Sequence, residues 1–77
     1  MWSQEENCLY GSFRFTDFSE AFAFITQVAL LAEKYQHHPT IKITFNKVEL
    51  WLNTHDAGDI ITSKDTKLAE AISELLA

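Results

Sequence analysis

Ile41-Lys42-Ile43-Thr44-Phe45-Asn46-Lys47-Val48-Glu49-Leu50-Trp51-Leu52 holds two alternating runs on either side of a polar pair. Ile41, Ile43 and Phe45 share one parity, with Lys42 and Thr44 on the other. After Asn46-Lys47 the pattern resumes, with Val48, Leu50, Leu52 and Thr54 on one face and Glu49, Trp51, Asn53 and His55 on the other. Period-two alternation is the mark of strands with one face in a core, and asparagine suits a tight turn. The stretch therefore predicts a β-hairpin turning at Asn46-Lys47.

Upstream, Pro39 cannot continue a helix and biases His38 toward extended backbone. The helix before it would start at a cap on Thr16 or Asp17, since Asp17 and Glu20 have capping-box spacing, and would run to Tyr35 or Gln36. Phe22, Ile25, Val28, Ala29 and Ala32 recur along it at helical intervals. Phe24 and Leu31, seven apart on a neighbouring face, serve either a second subunit or a widened core-facing arc. Before the helix, residues 9–15 alternate as a strand: Leu9, Phe13 and Phe15 against Tyr10, Ser12 and Arg14, with Gly11 on the buried parity, where it marks a bulge or a close backbone approach. Phe13, Phe15, Phe18 and Phe22 are assigned to the core. Downstream, a loop over 56–61 leads to Thr62 and Asp65, again at capping-box spacing, and Leu68, Ala69, Ile72, Leu75 and Leu76 form the stripe of a closing helix. The order strand, helix, strand, strand, helix predicts an α+β domain spanning 1–77, with an antiparallel sheet and both helices packed on one face.

Composition narrows the function. Eleven acidic residues against six Lys and Arg give a net charge of -5, and the cations are scattered, which disfavours direct nucleic-acid binding and anionic membranes. No apolar window reaches the length of a spanning helix and the first residues do not read as a signal peptide. The one cysteine, Cys8, has no intrachain disulfide partner. A cytoplasmic protein is expected. A chain of 77 residues also leaves much of its surface exposed, so partner subunits are expected to share its stability.

All three histidines fall at predicted element ends: His37 and His38 at the helix exit, and His55 at or just beyond the hairpin's second strand. Imidazoles exchange protons near neutral pH, so a histidine site is expected if these ends meet, with Glu33 one helical turn before His37. A single histidine at a helix C-terminus is often no more than a cap. Three histidines with Glu33 or Asp56 could also ligate zinc, although a helical HExxH is absent. Trp2 and Trp51 suit a core, an interface or a flat ligand equally.

The ordered series Trp2, Phe13-Arg14-Phe15, Asp17-Phe18, Ala21-Phe22, Val28-Ala29, Ala32-Glu33-Lys34, His37-His38-Pro39, Asn46-Lys47-Val48, Thr54-His55-Asp56 and Asp65-x-x-Leu68-Ala69 resembles the pterin-4a-carbinolamine dehydratase family. Some animal members of that family also act as a dimerisation cofactor of a homeodomain transcription factor. The resemblance implies dehydration of a 4a-hydroxytetrahydropterin to the quinonoid dihydropterin, with neither metal nor coenzyme, by a homodimer or homotetramer. It carries catalytic roles onto His37, His38 and His55, and pterin contacts onto Trp2, Glu33, His38, Thr54 and Asp56. Elimination needs an acid for the departing hydroxyl and a base for the N5 proton; His37 and His55 are expected to exchange these roles according to the face that bears the hydroxyl, with His38 holding the pterin. The alternative is a non-enzymatic, coactivator-like interaction protein.

The chain departs from the family pattern at several places. Gln36 replaces an acidic residue, Thr40 stands where Asp or Glu is usual and Ile41 where an aromatic is usual. Ile43 replaces a frequent Asn and Phe45 a frequent Tyr. The loop Asp56-Ala57-Gly58-Asp59-Ile60-Ile61-Thr62 reads one residue longer than the usual form, in which Gly-Gly and one apolar residue are typical.

Overall fold

The alternating stretch forms two antiparallel strands, β3 (Thr40–Thr44) and β4 (Lys47–Leu52), with Ile43 opposite Val48 and Ile41 opposite Leu50. The turn lies one residue earlier than expected, at Phe45 and Asn46, with Phe45 in the left-handed region at φ 50°. Asn46 ties this turn to the neighbouring strand: its Nδ2 donates to the Phe15 carbonyl at 2.9 Å, and its own carbonyl accepts from the Phe15 N–H at 2.8 Å. That strand, β2 (Cys8–Arg14), pairs with the other side of β4.

In this computed structural model, which describes residues 2–77, one strand precedes the expected series: β1 (Trp2–Glu5) folds back on β2, giving a four-stranded antiparallel sheet in the order β1-β2-β4-β3. Only four residues long and mostly exposed, β1 has no alternation to announce it. Gly11 explains its docking. The Trp2 ring lies over that glycine, and a Cβ there would stand 2.7 Å from the indole, so the close approach needs a residue without a side chain.

Helices α1 (Phe18–Tyr35) and α2 (Ser63–Glu74) cover one face of the sheet. Asp17 caps α1 by accepting from the Glu20 N–H at 2.8 Å, while Glu20 reaches back to the Thr16 N–H. The core joins Phe13, Val48, Leu50 and Leu52 of the sheet to Phe24 and Val28 of α1 and to Leu68, Ala69 and Ile72 of α2. The Phe24 ring packs on Phe13 and Phe15 at centroid distances of 5.1 and 5.0 Å.

Two core assignments are corrected. Phe18 and Phe22 are 49% and 52% exposed, whereas Phe24 is buried. The buried stripe is Ala21, Phe24, Val28 and Ala32; it shares Val28 and Ala32 with the stripe expected from Phe22, Ile25, Val28, Ala29 and Ala32, and takes Ala21 and Phe24 where Phe22 and Ala29 are exposed. Both have helical periodicity, and sheet geometry selects between them. The widened core-facing arc is thus the outcome for Phe24, and Leu31 packs partly against the same core.

Candidate active site

The end of α1 is built by its backbone. Gln36 adopts the left-handed conformation at φ 51°, its N–H donates to the Glu33 carbonyl, and the His37 N–H donates to Ala32 at 3.0 Å. This pair of bonds is a Schellman motif with glutamine in the position glycine usually fills, and it delivers His37 at a fixed angle off the helix. At the far end of β4, Thr54 pairs with Ile60, closing a loop that holds a 3-10 turn, His55–Ala57.

These two ends meet. His37, His38, Thr54, His55 and Asp56 line one cleft of about 260 Å³, together with Gln36, Asn53 and Lys64. Glu33 is not part of the lining; its Oε2 lies 3.1 Å from His38 Nε2 on the exposed rim. Trp2 does not reach the cleft. Its Nε1 donates to Ser73 Oγ at 2.9 Å, its ring meets Phe13 edge-on, and it lines a second, more apolar groove with Leu9, Thr66 and Ala69. Trp2, expected as a pterin contact, thus lies away from the three histidines, since pairing with β2 carries the indole onto α2. Trp51 points from the opposite parity of β4, where its ring packs on Tyr10.

Beneath the cleft lies Asp65, expected from the sequence as a helix-capping partner and as part of the family resemblance but given no place in the site. Asp65 is fully buried. Its Oδ1 is 2.5 Å from His37 Nε2, and its Oδ2 accepts from the Thr54 hydroxyl and the Thr62 N–H, both at 2.8 Å. Because Thr54 donates to the carboxylate, the Thr62 hydroxyl 2.5 Å away donates to Thr54 and in turn accepts from the Lys64 N–H. Every hydroxyl proton then has one direction. Burial alone would push the Asp65 carboxyl up, but the hydrogen bonds from His37, Thr62 and Thr54 hold it below the ordinary carboxylate range. Asp65 is thus an anion that can accept Nε2–H of His37, leaving Nδ1 as the nitrogen for chemistry. The box spacing of Thr62 and Asp65 is visible in the sequence; that the same carboxylate turns inward to a histidine 28 residues away is not.

His55 is exposed and held differently. Its Nδ1 lies 2.8 Å from Asp59 Oδ1. The hydrogen bond that His55 donates to that carboxylate, then the carboxylate's charge, with a smaller part from Asp56, raise the imidazole above its ordinary value of 6.5. Among the described residues, no three of His, Cys, Asp and Glu converge as a metal-binding group.

The family model for pterin 4 alpha carbinolamine dehydratase matches residues 1–75. The chain belongs to this family. A relative from Chloroflexus aurantiacus described under the same dehydratase name is 51% identical over 75 residues, covering 97% of this chain and 80% of that protein. Another from Rhizorhabdus wittichii is 53% identical over 76 residues. Among solved structures, the transcriptional coactivator/pterin dehydratase of Brucella melitensis superposes with a TM-score of 0.91 at 36% identity, over 99% of this chain and 82% of that one. A pterin dehydratase-like protein identified as a RuBisCO assembly factor in the alpha-carboxysome shares the fold, with a TM-score of 0.76 at 21% identity. Within the dehydratase family, the cleft that gathers all three histidines is the place to look for the chemistry.

Proposed function

We propose that this cleft dehydrates a 4a-hydroxytetrahydropterin to the quinonoid dihydropterin. The observation that carries the reading is the meeting of imidazoles from two unrelated element ends around one cleft. In the reaction the C4a–O bond breaks as an acid protonates the departing hydroxyl, a base removes the N5 proton, and the nitrogen electrons form the new double bond; water leaves. His55, with its raised basicity, is the acid, supplying the proton from Nε2. His37, held on Asp65 through Nε2, receives the N5 proton at Nδ1. A substrate hydroxylated on the opposite face exchanges the two roles. His38 and Asp56 hold the ring edge, and Glu33 steadies His38. No coenzyme is required by this sequence of steps.

An absorbance assay with chemically generated 4a-hydroxytetrahydropterin tests the proposal. The protein is expected to accelerate dehydration over the spontaneous rate, and His37→Ala and His55→Ala each to lose about 100-fold or more of that acceleration. Absence of acceleration by the parent protein would end the dehydratase reading, and unaltered rates in both variants would end the assignment of roles.

The protein also works, in this reading, as a homodimer or homotetramer in the cytoplasm. Support for self-association comes from α1, where Phe18, Phe22 and Leu30 (67% exposed) stand toward solvent. No helix among the described residues is long and apolar enough to cross a membrane.

A further inference from the structure

The loop after β4 carries a carboxylate that the reaction as written does not use. We propose that Asp59 is the positioning residue of His55: its carboxylate keeps a proton on Nδ1 and so presents Nε2 as the nitrogen that exchanges a proton with the substrate. This rests on the dehydratase reading for its catalytic consequence, but not for the state of the ring.

The loop backbone brings the two groups together. Thr54 closes it from both sides, donating to the Ile60 carbonyl at 2.8 Å and accepting from the Ala57 and Asp59 N–H groups at 3.2 and 3.1 Å. The Gly58 N–H donates to the His55 carbonyl at 3.0 Å. Within this closed loop Gly58 and Asp59 take left-handed backbone, at φ 91° and 59°, and the chain turns so that the Asp59 carboxylate returns over His55. Aspartate is among the few side chains that adopt this backbone readily. An exposed pair four residues apart contributes little to stability. Its consequence is tautomeric: a carboxylate accepts but cannot donate, so a neutral His55 bonded to it through Nδ1 bears its hydrogen there, and Nε2 keeps a lone pair. No hydrogen bond to Nε2 is made among the described residues.

The other charged or titratable groups around His55 do not substitute for Asp59. Asp56 is adjacent in sequence and adds only a minor charge effect, Lys64 comes from the start of α2, and His37 and His38 face the cleft from the end of α1. His37 has a different carboxylate partner, Asp65, and His38 has Glu33. Each ring is therefore oriented from its own side, and His55 alone depends on the loop.

Asp59→Gly removes the carboxylate in a residue that accepts φ 59° without strain, and Asp59→Asn removes the charge while keeping a side chain that tolerates the same backbone. Nitrogen-15 NMR of histidine-labelled full chain reads the tautomer and titration of His55 directly. In the parent, neutral His55 is expected as the Nδ1–H form. In Asp59→Gly that preference disappears, and in both variants the titration midpoint falls, whereas Asp56→Asn leaves the tautomer unchanged. In the dehydration assay, Asp59→Gly is expected to lower kcat about tenfold with KM little altered. The limb of the rate–pH profile governed by protonated His55 should move to lower pH. Neutral parent His55 bearing its hydrogen on Nε2, or a ring unmoved by Asp59→Gly, would overturn the proposal. So would altered NMR with an unaltered rate profile. A parent protein with no dehydratase activity would overturn the functional reading instead, leaving the NMR to decide whether Asp59 sets the ring.

Discussion

Asp65 joins the cap of α2 to a histidine of the candidate site. As the third residue of α2 it completes the box with Thr62, and as a buried anion it receives His37, Thr54 and the Thr62 N–H. Removing the side chain altogether, in Asp65→Ala, leaves those donors in a space closed to water and is expected to cost about 2–4 kcal/mol, measured by urea unfolding. Asp65→Asn is the more informative change. Its amide can still accept, but toward His37 it can present an N–H, which favours hydrogen on Nδ1 and exchanges the nitrogen offered to substrate. Dehydration by Asp65→Asn should fall about 100-fold or more while the fold persists. The same residue gives an acid dependence of known sign. Its folded carboxyl lies below its ordinary value of 3.8, so the stabilisation is complete above that value and is lost as pH falls through the depressed folded one. Unfolding free energies measured from neutrality down to about pH 3 should therefore fall less steeply in Asp65→Asn than in the parent. Parallel slopes would mean that the carboxylate is not preferentially stabilised by folding.

At the level of elements, the fold depends on how strands and helices stop, and three of these stops, at Glu6, Gln36 and Phe45, use left-handed backbone without glycine. Gln36 ends α1 and Phe45 opens the turn between β3 and β4, at φ 51° and 50°. Phe45 gains little from its side chain, which is 66% exposed. Phe45→Gly should raise stability by about 0.5–1 kcal/mol, since the relief of a left-handed aromatic residue exceeds the added entropy of the unfolded chain. A lowered urea midpoint would show that the ring has a packing role after all. These positions explain what could be read in advance. The hairpin, α1 and α2 were legible because alternation, helical spacing and the signals at Pro39, Asp17 and Thr62 agree with one another. The exact turn was not, because Asn46 is the better left-handed residue by propensity and Phe45 is the one that adopts it. Strand β1 was hidden by its polarity, and its anchor, the indole over Gly11, is a contact between strands. Of the site, the histidines were legible by type and position. Asp59 and Asp65 were not, since their roles depend on a closed loop and on a burial that no local pattern reports.

For the whole molecule, α1 carries exposed apolar side chains on a chain of acidic net charge. A chain of 77 residues with a net charge of -5 keeps Phe18, Phe22 and Leu30 exposed on α1, the first two with ring centroids 6.0 Å apart. Such groups add nothing to the monomer's core, whose α1 contribution is made by Ala21, Phe24, Val28 and Ala32. Their burial between copies would remove apolar area from water at roughly 25 cal/mol per Å², and small domains gain most from shared burial because their own cores are limited. The helix is also the element that presents His37 and His38, so anything that steadies it steadies one wall of the cleft. The double substitution Phe22→Asp and Leu30→Asp places charges on this face without touching the core. Light scattering should give the parent a mass that is a multiple of 8.8 kDa and shift the variant to that of one chain. The parent's thermal midpoint should rise with protein concentration, as coupled association requires, and the variant's should not. A monomeric parent would remove the case for self-association, and an unchanged mass in the variant would move the interface away from α1. Should the variant become monomeric yet keep its dehydration rate, the cleft is complete within one chain and assembly contributes stability alone; a rate that falls with the mass instead makes the helix face part of what holds the histidine wall in place.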